Sequence, residues 1–193
     1  MTPFAVLTSI VAPLPHDNVD TDTIIPSREM KSTGKYGLAE GLFAPWRYVD
    51  VATRKENPDF ILNQPEYRAA QILASGANFG CGSSREHAVW ALAEYGIRCV
   101  IAESFAPIFY NNCIRNGLAP VVLPKTVIST LAGGTATIDL AAQTVNGHRF
   151  EIDPEAKMMM LEGLDAIDLT LKHRDAIAVW QAKDRAVRPW IYL

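Results

Sequence analysis

Several features are scarce in this sequence, and each scarcity removes a class of function. No apolar run approaches the roughly 20 residues of a membrane span. Residues 1–14 are largely apolar, but they lack a basic start and are interrupted by Pro3 and Pro13, so they do not read as a signal peptide. Cysteine is limited to Cys81, Cys99 and Cys113, an odd number at wide spacing. That excludes a disulfide framework and points to reduced thiols in the cytoplasm. No cysteine or histidine spacing matches a zinc or iron–sulfur site, so the chain is expected to hold no metal of its own. Basic charge is not in excess either: the net charge is −3, which gives no reason to expect nucleic acid as a partner. The four histidines (His16, His87, His148 and His173) are scattered, and none forms a ligand pair at helical spacing.

What is present is an ordinary globular composition, 49% hydrophobic and 20% charged over 193 residues, enough for one domain with a substantial core. The densest chemistry lies in one stretch. Gly76, Gly80 and Gly82 precede Ser83, Ser84 and Arg85, after which Ala88, Leu92 and Tyr95 recur at helical spacing. Glycines free the backbone, and the first N–H groups of a helix carry the positive end of its dipole. Anions collect at such a place, and Arg85 adds a planar cationic fork suited to a carboxylate. The same residues also fit a plain capping box, with the Ser83 hydroxyl and the Glu86 carboxylate serving helix-start N–H groups. Arg85 stands where a dinucleotide fingerprint needs its third glycine, and no Gly-Lys-Ser/Thr follows for a phosphate loop. His87 reads as a structural helix-start residue rather than a base.

The order of the remaining signals predicts an α/β fold. A strand is expected over Phe4–Val11, ended by Pro13 and Pro15. Asn18, Asp20, Asp22 and Glu29 match calcium-loop positions. However, Thr23 replaces the turn glycine and Pro26 stiffens the loop, so side chains bonding nearby backbone N–H groups is the better reading. Residues 27–65 are irregular and aromatic-rich, which suits a functional loop or, at Trp46–Tyr48, satellite packing. Strands are expected at 71–74, 98–102 and 119–123, with helices at 84–95 and from the cap Ser104 to Asn116, stopped by Gly96 and Gly117. Pro107 suits that second helix's first turn. This β-α-β-α-β order signifies a mostly parallel sheet with helices on both faces, whose ligands bind outside the carboxyl ends of the strands. Alternation at 135–140 and the pair Asn146-Gly147 predict an antiparallel hairpin at the edge. Two C-terminal helices are expected within about 162–184, and Met158–Met160 as core filler.

Three stretches together resemble the 3-isopropylmalate dehydratase small-subunit family, the swivel-domain half of the aconitase-like hydro-lyases. They are Asp20-Thr-Asp-Thr-Ile-Ile-Pro26, Gly80-Cys-Gly-Ser-Ser-Arg-Glu-His87 and Ser104-Phe-Ala-Pro-Ile-Phe-Tyr-Asn-Asn112. The resemblance covers nearly the whole chain as a single domain. It implies a swivelling β/β/α fold and a dehydration–rehydration of a hydroxy-dicarboxylic acid in leucine biosynthesis. It also implies a separate large subunit that carries a four-iron four-sulfur cluster. By the same resemblance Ser83 is the base, Asp22 its supporting acid, Arg85 the carboxylate binder and Ser84 a further donor to substrate. The resemblance departs at Ser27-Arg28-Glu29-Met30-Lys31, where many such subunits place an aromatic–leucine pair. There Arg28 either binds a second carboxylate or pairs with Glu29 on the surface. A methylated or shorter malate as substrate, and a non-catalytic anion-binding module in which Ser83 only caps its helix, both stay open at this point.

Overall fold

The computed structural model describes residues 1–30 and 34–192. Strand β1 (Val6–Leu14) leads into two single-turn helices, α1 (Thr21–Ile24) and α2 (Ala44–Arg47). A two-stranded ribbon follows, β2 (Tyr48–Asp50) with β3 (Lys55–Glu56). The body continues as β4 (Ile72–Ser75), α3 (Glu86–Tyr95), β5 (Cys99–Ala102), α4 (Pro107–Asn116), β6 (Ala119–Val122) and α5 (Lys125–Leu131). Next come β7 (Thr135–Asp139), β8 (Thr144–Val145) and β9 (His148–Arg149), and then helices α6 (Pro154–Glu162), α7 (Ala166–Leu171) and α8 (Arg174–Val187).

Seven strands form one sheet in the order β6-β5-β4-β1-β7-β8-β9. Strands β1, β4, β5 and β6 are parallel, and β7 joins β1 antiparallel to begin the hairpin edge. The parallel strands are apolar on both faces, as burial between helix layers demands. Alternate residues therefore enter two cores. Leu73 and Val100 pack with Ala88, Leu92 and Phe109 on one face. Ile72, Cys99 and Ile101 pack with Ile128, Ile138 and Met160 on the other. This is the expected α/β architecture with helices on both faces. Of the three consecutive methionines, Met159 and Met160 are buried and Met158 is exposed.

The structure departs from the sequence reading at several boundaries. Strand β1 runs on through Pro13. Its partner β7 pairs only Val6–Ile10, so by Pro13 one side of the strand carries no ladder for the missing N–H to break. Helix α3 starts at Glu86 rather than 84, with Arg85 as its N-cap and no side chain capping it. The Ser83–Glu86 capping box is thus not formed. Glu86 instead accepts a hydrogen bond from Asn116 Nδ2 at 2.7 Å, on the neighbouring helix. Ser104 does not cap α4 either. Ala106 holds that position, and the Ser104 hydroxyl accepts from the Asn78 N–H at 2.8 Å. Helix α5 carries no strong start signal in sequence, and the structure adds it to the expected elements, together with α6 ahead of the two expected C-terminal helices and with α2 and the β2–β3 ribbon inside the segment expected to be irregular.

Candidate active site

The corner is built by loops that leave the carboxyl ends of three parallel strands. The loop after β1 runs alongside the loop after β4, and their backbones are stitched together. Gly76 N–H donates to His16 O (3.0 Å), Asn18 N–H to Ala77 O (2.8 Å), Gly80 N–H to Val19 O (2.8 Å) and Thr21 N–H to Cys81 O (2.8 Å). The loop after β5 joins on the other side, where Phe79 N–H donates to Ser104 O and Ala106 N–H to Phe79 O. Side chains complete the seam. Asp17 Oδ1 accepts from Ala77 N–H at 2.8 Å, and Asp20 Oδ1 accepts from Thr23 N–H at 2.6 Å as the N-cap of α1. The acidic loop therefore does what short polar side chains do in turns.

Two of the glycines are required for this approach. A Cβ on Gly76 would overlap Asp17 Oδ1, and one on Gly80 would overlap the Phe109 ring, both far inside van der Waals contact. Gly80 also has φ +76°, which disfavours other residues.

Ser83, Ser84 and Arg85 line one cavity of about 220 Å³ together with Thr21, Ala106–Phe109 and Asn112. Both serines are exposed. The Thr21 hydroxyl donates to Ser83 O at 3.0 Å and so fixes that peptide's direction. Arg85 Nη1 donates to Asp22 Oδ1, joining two expected site residues that are 63 positions apart in sequence. The uncapped start of α3 and the Arg85 guanidinium, which Asp22 engages through Nη1, give this cavity N–H donors suited to a carboxylate ligand. Arg28 is not brought here. It stands 4.0 Å from Glu29 in a separate concavity with Val51, Ala52 and Arg54, while Glu29 is buried and takes a 2.5 Å bond from Arg54. Lys31 lies outside the described residues. The sequence reading missed Thr21 as part of the cavity, and it used Asn112 only as part of a resembling run.

The chain's own donors do not fit an iron–sulfur cluster. Cys99 and Cys113 belong to opposite cores, and burial pushes both thiols up. Burial, with help from the Asp20 carboxylate, also raises Cys81. Among the described residues no three His, Cys, Asp or Glu side chains converge as a metal site.

Comparison with known proteins gives these features their context. Residues 1–126 match the family model of the aconitase C-terminal domain. Residues 167–192 match the model for the C-terminal domain of the 3-isopropylmalate dehydratase small subunit. The 3-isopropylmalate dehydratase small subunit of Cupriavidus necator is 51% identical over 205 residues, covering 100% of this chain and 99% of its own. This chain belongs to the 3-isopropylmalate dehydratase small-subunit family. The relative from Xanthobacter autotrophicus agrees, at 50% identity over 99% of this chain and 100% of its own. The crystal structure of a 3-isopropylmalate dehydratase from Methanocaldococcus jannaschii superimposes with a TM-score of 0.65 at 30% identity. It covers 91% of this chain and 99% of that one, so the family's fold extends over the body described above.

Proposed function

We propose that this chain is the small subunit of a 3-isopropylmalate dehydratase. That enzyme is a hydro-lyase of leucine biosynthesis, which interconverts 2-isopropylmalate and 3-isopropylmalate by dehydration and rehydration. The observation that carries the proposal is an end-to-end match to small subunits of that name, at about half identity. The corner supports it, because Ser83, Ser84 and Arg85 line one cavity and Asp22 bonds Arg85 beside it. In this reading Arg85 grips a substrate carboxylate, Ser84 donates to the substrate, and Asp22 holds the Arg85 fork in place. Ser83 takes the proton next to a carboxylate. A serine is a strong enough base only as an alkoxide, and the uncapped helix start beside Arg85 is the environment that favours the anion. Departure of the substrate hydroxyl needs a Lewis acid, and among the described residues no three His, Cys, Asp or Glu side chains converge to hold one. In this reading a separate large subunit supplies it from a four-iron four-sulfur cluster, as the family resemblance implies.

The test is Ser83→Ala in the assembled enzyme. With the large subunit saturating, loss of a positioned base should lower kcat by about 10²–10⁴-fold while the circular dichroism spectrum stays unchanged. A loss below about tenfold in a folded subunit would remove Ser83 from the reaction. Running the wild-type enzyme on 3-isopropylmalate beside methyl-substituted malates checks the substrate, and preference for the latter overturns the leucine assignment.

A further inference from the structure

Five polar or charged residues are buried among the described residues: Thr21, Glu29, Asn63, Ser75 and Asn112. Four have clear partners. Thr21 bonds Ser83 O, Glu29 accepts from Arg54, Asn63 Nδ2 donates to Arg47 O and Asn57 O, and Ser75 donates to His16 O. Asn112 is only 8% exposed, and its carboxamide makes no hydrogen bond within the described chain. Its backbone carbonyl is engaged by Asn116, but the side chain is not. Its amide atoms are also not among the sealed, partnerless atoms, which belong to Arg47 and Arg54. The amide thus still reaches open space, and the space Asn112 lines is the cavity it shares with Ser83, Ser84 and Arg85.

A side-chain amide held in a nearly buried residue with no protein partner takes its hydrogen bonds from whatever fills the space it reaches. Here the cavity's chemistry decides what that is. Its walls present a guanidinium and a helix start, so the preferred guest is an anion, and a carboxamide offers that guest two N–H donors. We propose that Asn112 is a substrate-binding residue, whose amide donates a hydrogen bond to a carboxylate of the hydroxy-dicarboxylate beside Arg85. The inference rests on the reading of this corner as the active site. It adds a polar contact from α4, whose first turn already lines the cavity, to a site whose other polar side chains come from the loops after β1 and β4.

The experiment uses the assembled enzyme at saturating large subunit, with Asn112→Leu, Asn112→Asp and Ser83→Ala side by side. Leucine has a similar shape and removes the partnerless amide. Losing a hydrogen bond to a charged group should raise KM about 10- to 100-fold, with kcat changed by less than about threefold. The same subunit should melt no lower than wild type, because no protein hydrogen bond is broken. Asn112→Asp keeps the shape but turns a carboxylate toward the substrate's own, so its KM should rise at least as far. It decides the matter if the leucine variant fails to assemble. A KM within about twofold of wild type in the folded variants overturns the inference, as does a fall in kcat at unchanged KM. Ser83→Ala separates the two levels. If it stays active, the active-site reading itself fails; if it is inactive while the Asn112 variants bind normally, only the present inference fails.

Discussion

At the scale of single residues, the corner depends on close approaches that tolerate no extra carbon. Gly80 is the sharpest case, because φ +76° and the Phe109 ring act against any side chain there. Gly80→Ala should lose more than about 2 kcal/mol, from overpacking plus the left-handed backbone. The two causes can be separated. Adding Phe109→Leu should recover part of the loss by making room, leaving about 1–2 kcal/mol for the backbone. Urea denaturation of the two single variants and the double variant measures this, and strict additivity would show that the ring and the Cβ never meet. Glycine density at 76–82 was visible in the sequence. The identity of each glycine's neighbour was not, because Asp17 and Phe109 come from other loops and helices.

At the scale of elements, α3 does two jobs with its two ends. Its start faces the cavity without a capping side chain, and its far end holds a distant loop. The Glu94 carboxylate accepts from the N–H groups of Gly37 (2.7 Å), Leu38 (2.6 Å) and Ala39 (2.9 Å). Partial burial alone would raise its pKa, yet the three donors hold the carboxyl below its usual range. A depressed carboxylate pKa adds stability above the unfolded value, and that stability is lost as pH falls through the folded one. Glu94→Gln should therefore be less stable than wild type near neutral pH. The difference should stay below about 1 kcal/mol because the group is largely exposed; it should begin to shrink as pH falls below about 4.3 and vanish once the carboxyl is protonated in the folded state. Urea midpoints across that range check it, and a gap independent of pH would show that the clamp does not depend on charge. Helix stops were legible locally, since Gly96 and Gly117 both take positive φ where a stop was expected. Helix starts were legible only in part. Pro107 does open α4, but Ser83 and Ser104 look like caps in sequence and cap nothing: the Ser104 hydroxyl bonds the Asn78 N–H, and Ser83 is exposed ahead of the Arg85 N-cap.

At the scale of the whole molecule, the sheet and its flanking helices hold both cores, and the last two helices contribute to neither. No residue of α7 or α8 is buried, and Ile167, Leu171, Trp180, Val187 and Trp190 are all exposed. Ending the chain after Leu164 should shift the melting temperature of the body by no more than about 2 °C, since no core contact is removed. A drop beyond about 10 °C in a thermal melt would show that the helices belong to the fold. The sequence by itself determined the β-α-β-α-β order of the parallel sheet, the tight turn at Asn146-Gly147 and the Gly-Ser-Ser-Arg corner. All of these follow from backbone preference and periodicity within a few residues. Only the tertiary structure decided that Asp22 meets Arg85, that Arg28 does not join them, and that Asn112 lines the same cavity with its amide unbonded to the described chain. Those facts depend on which loops the parallel register of β1, β4 and β5 brings side by side, and no local pattern encodes that register.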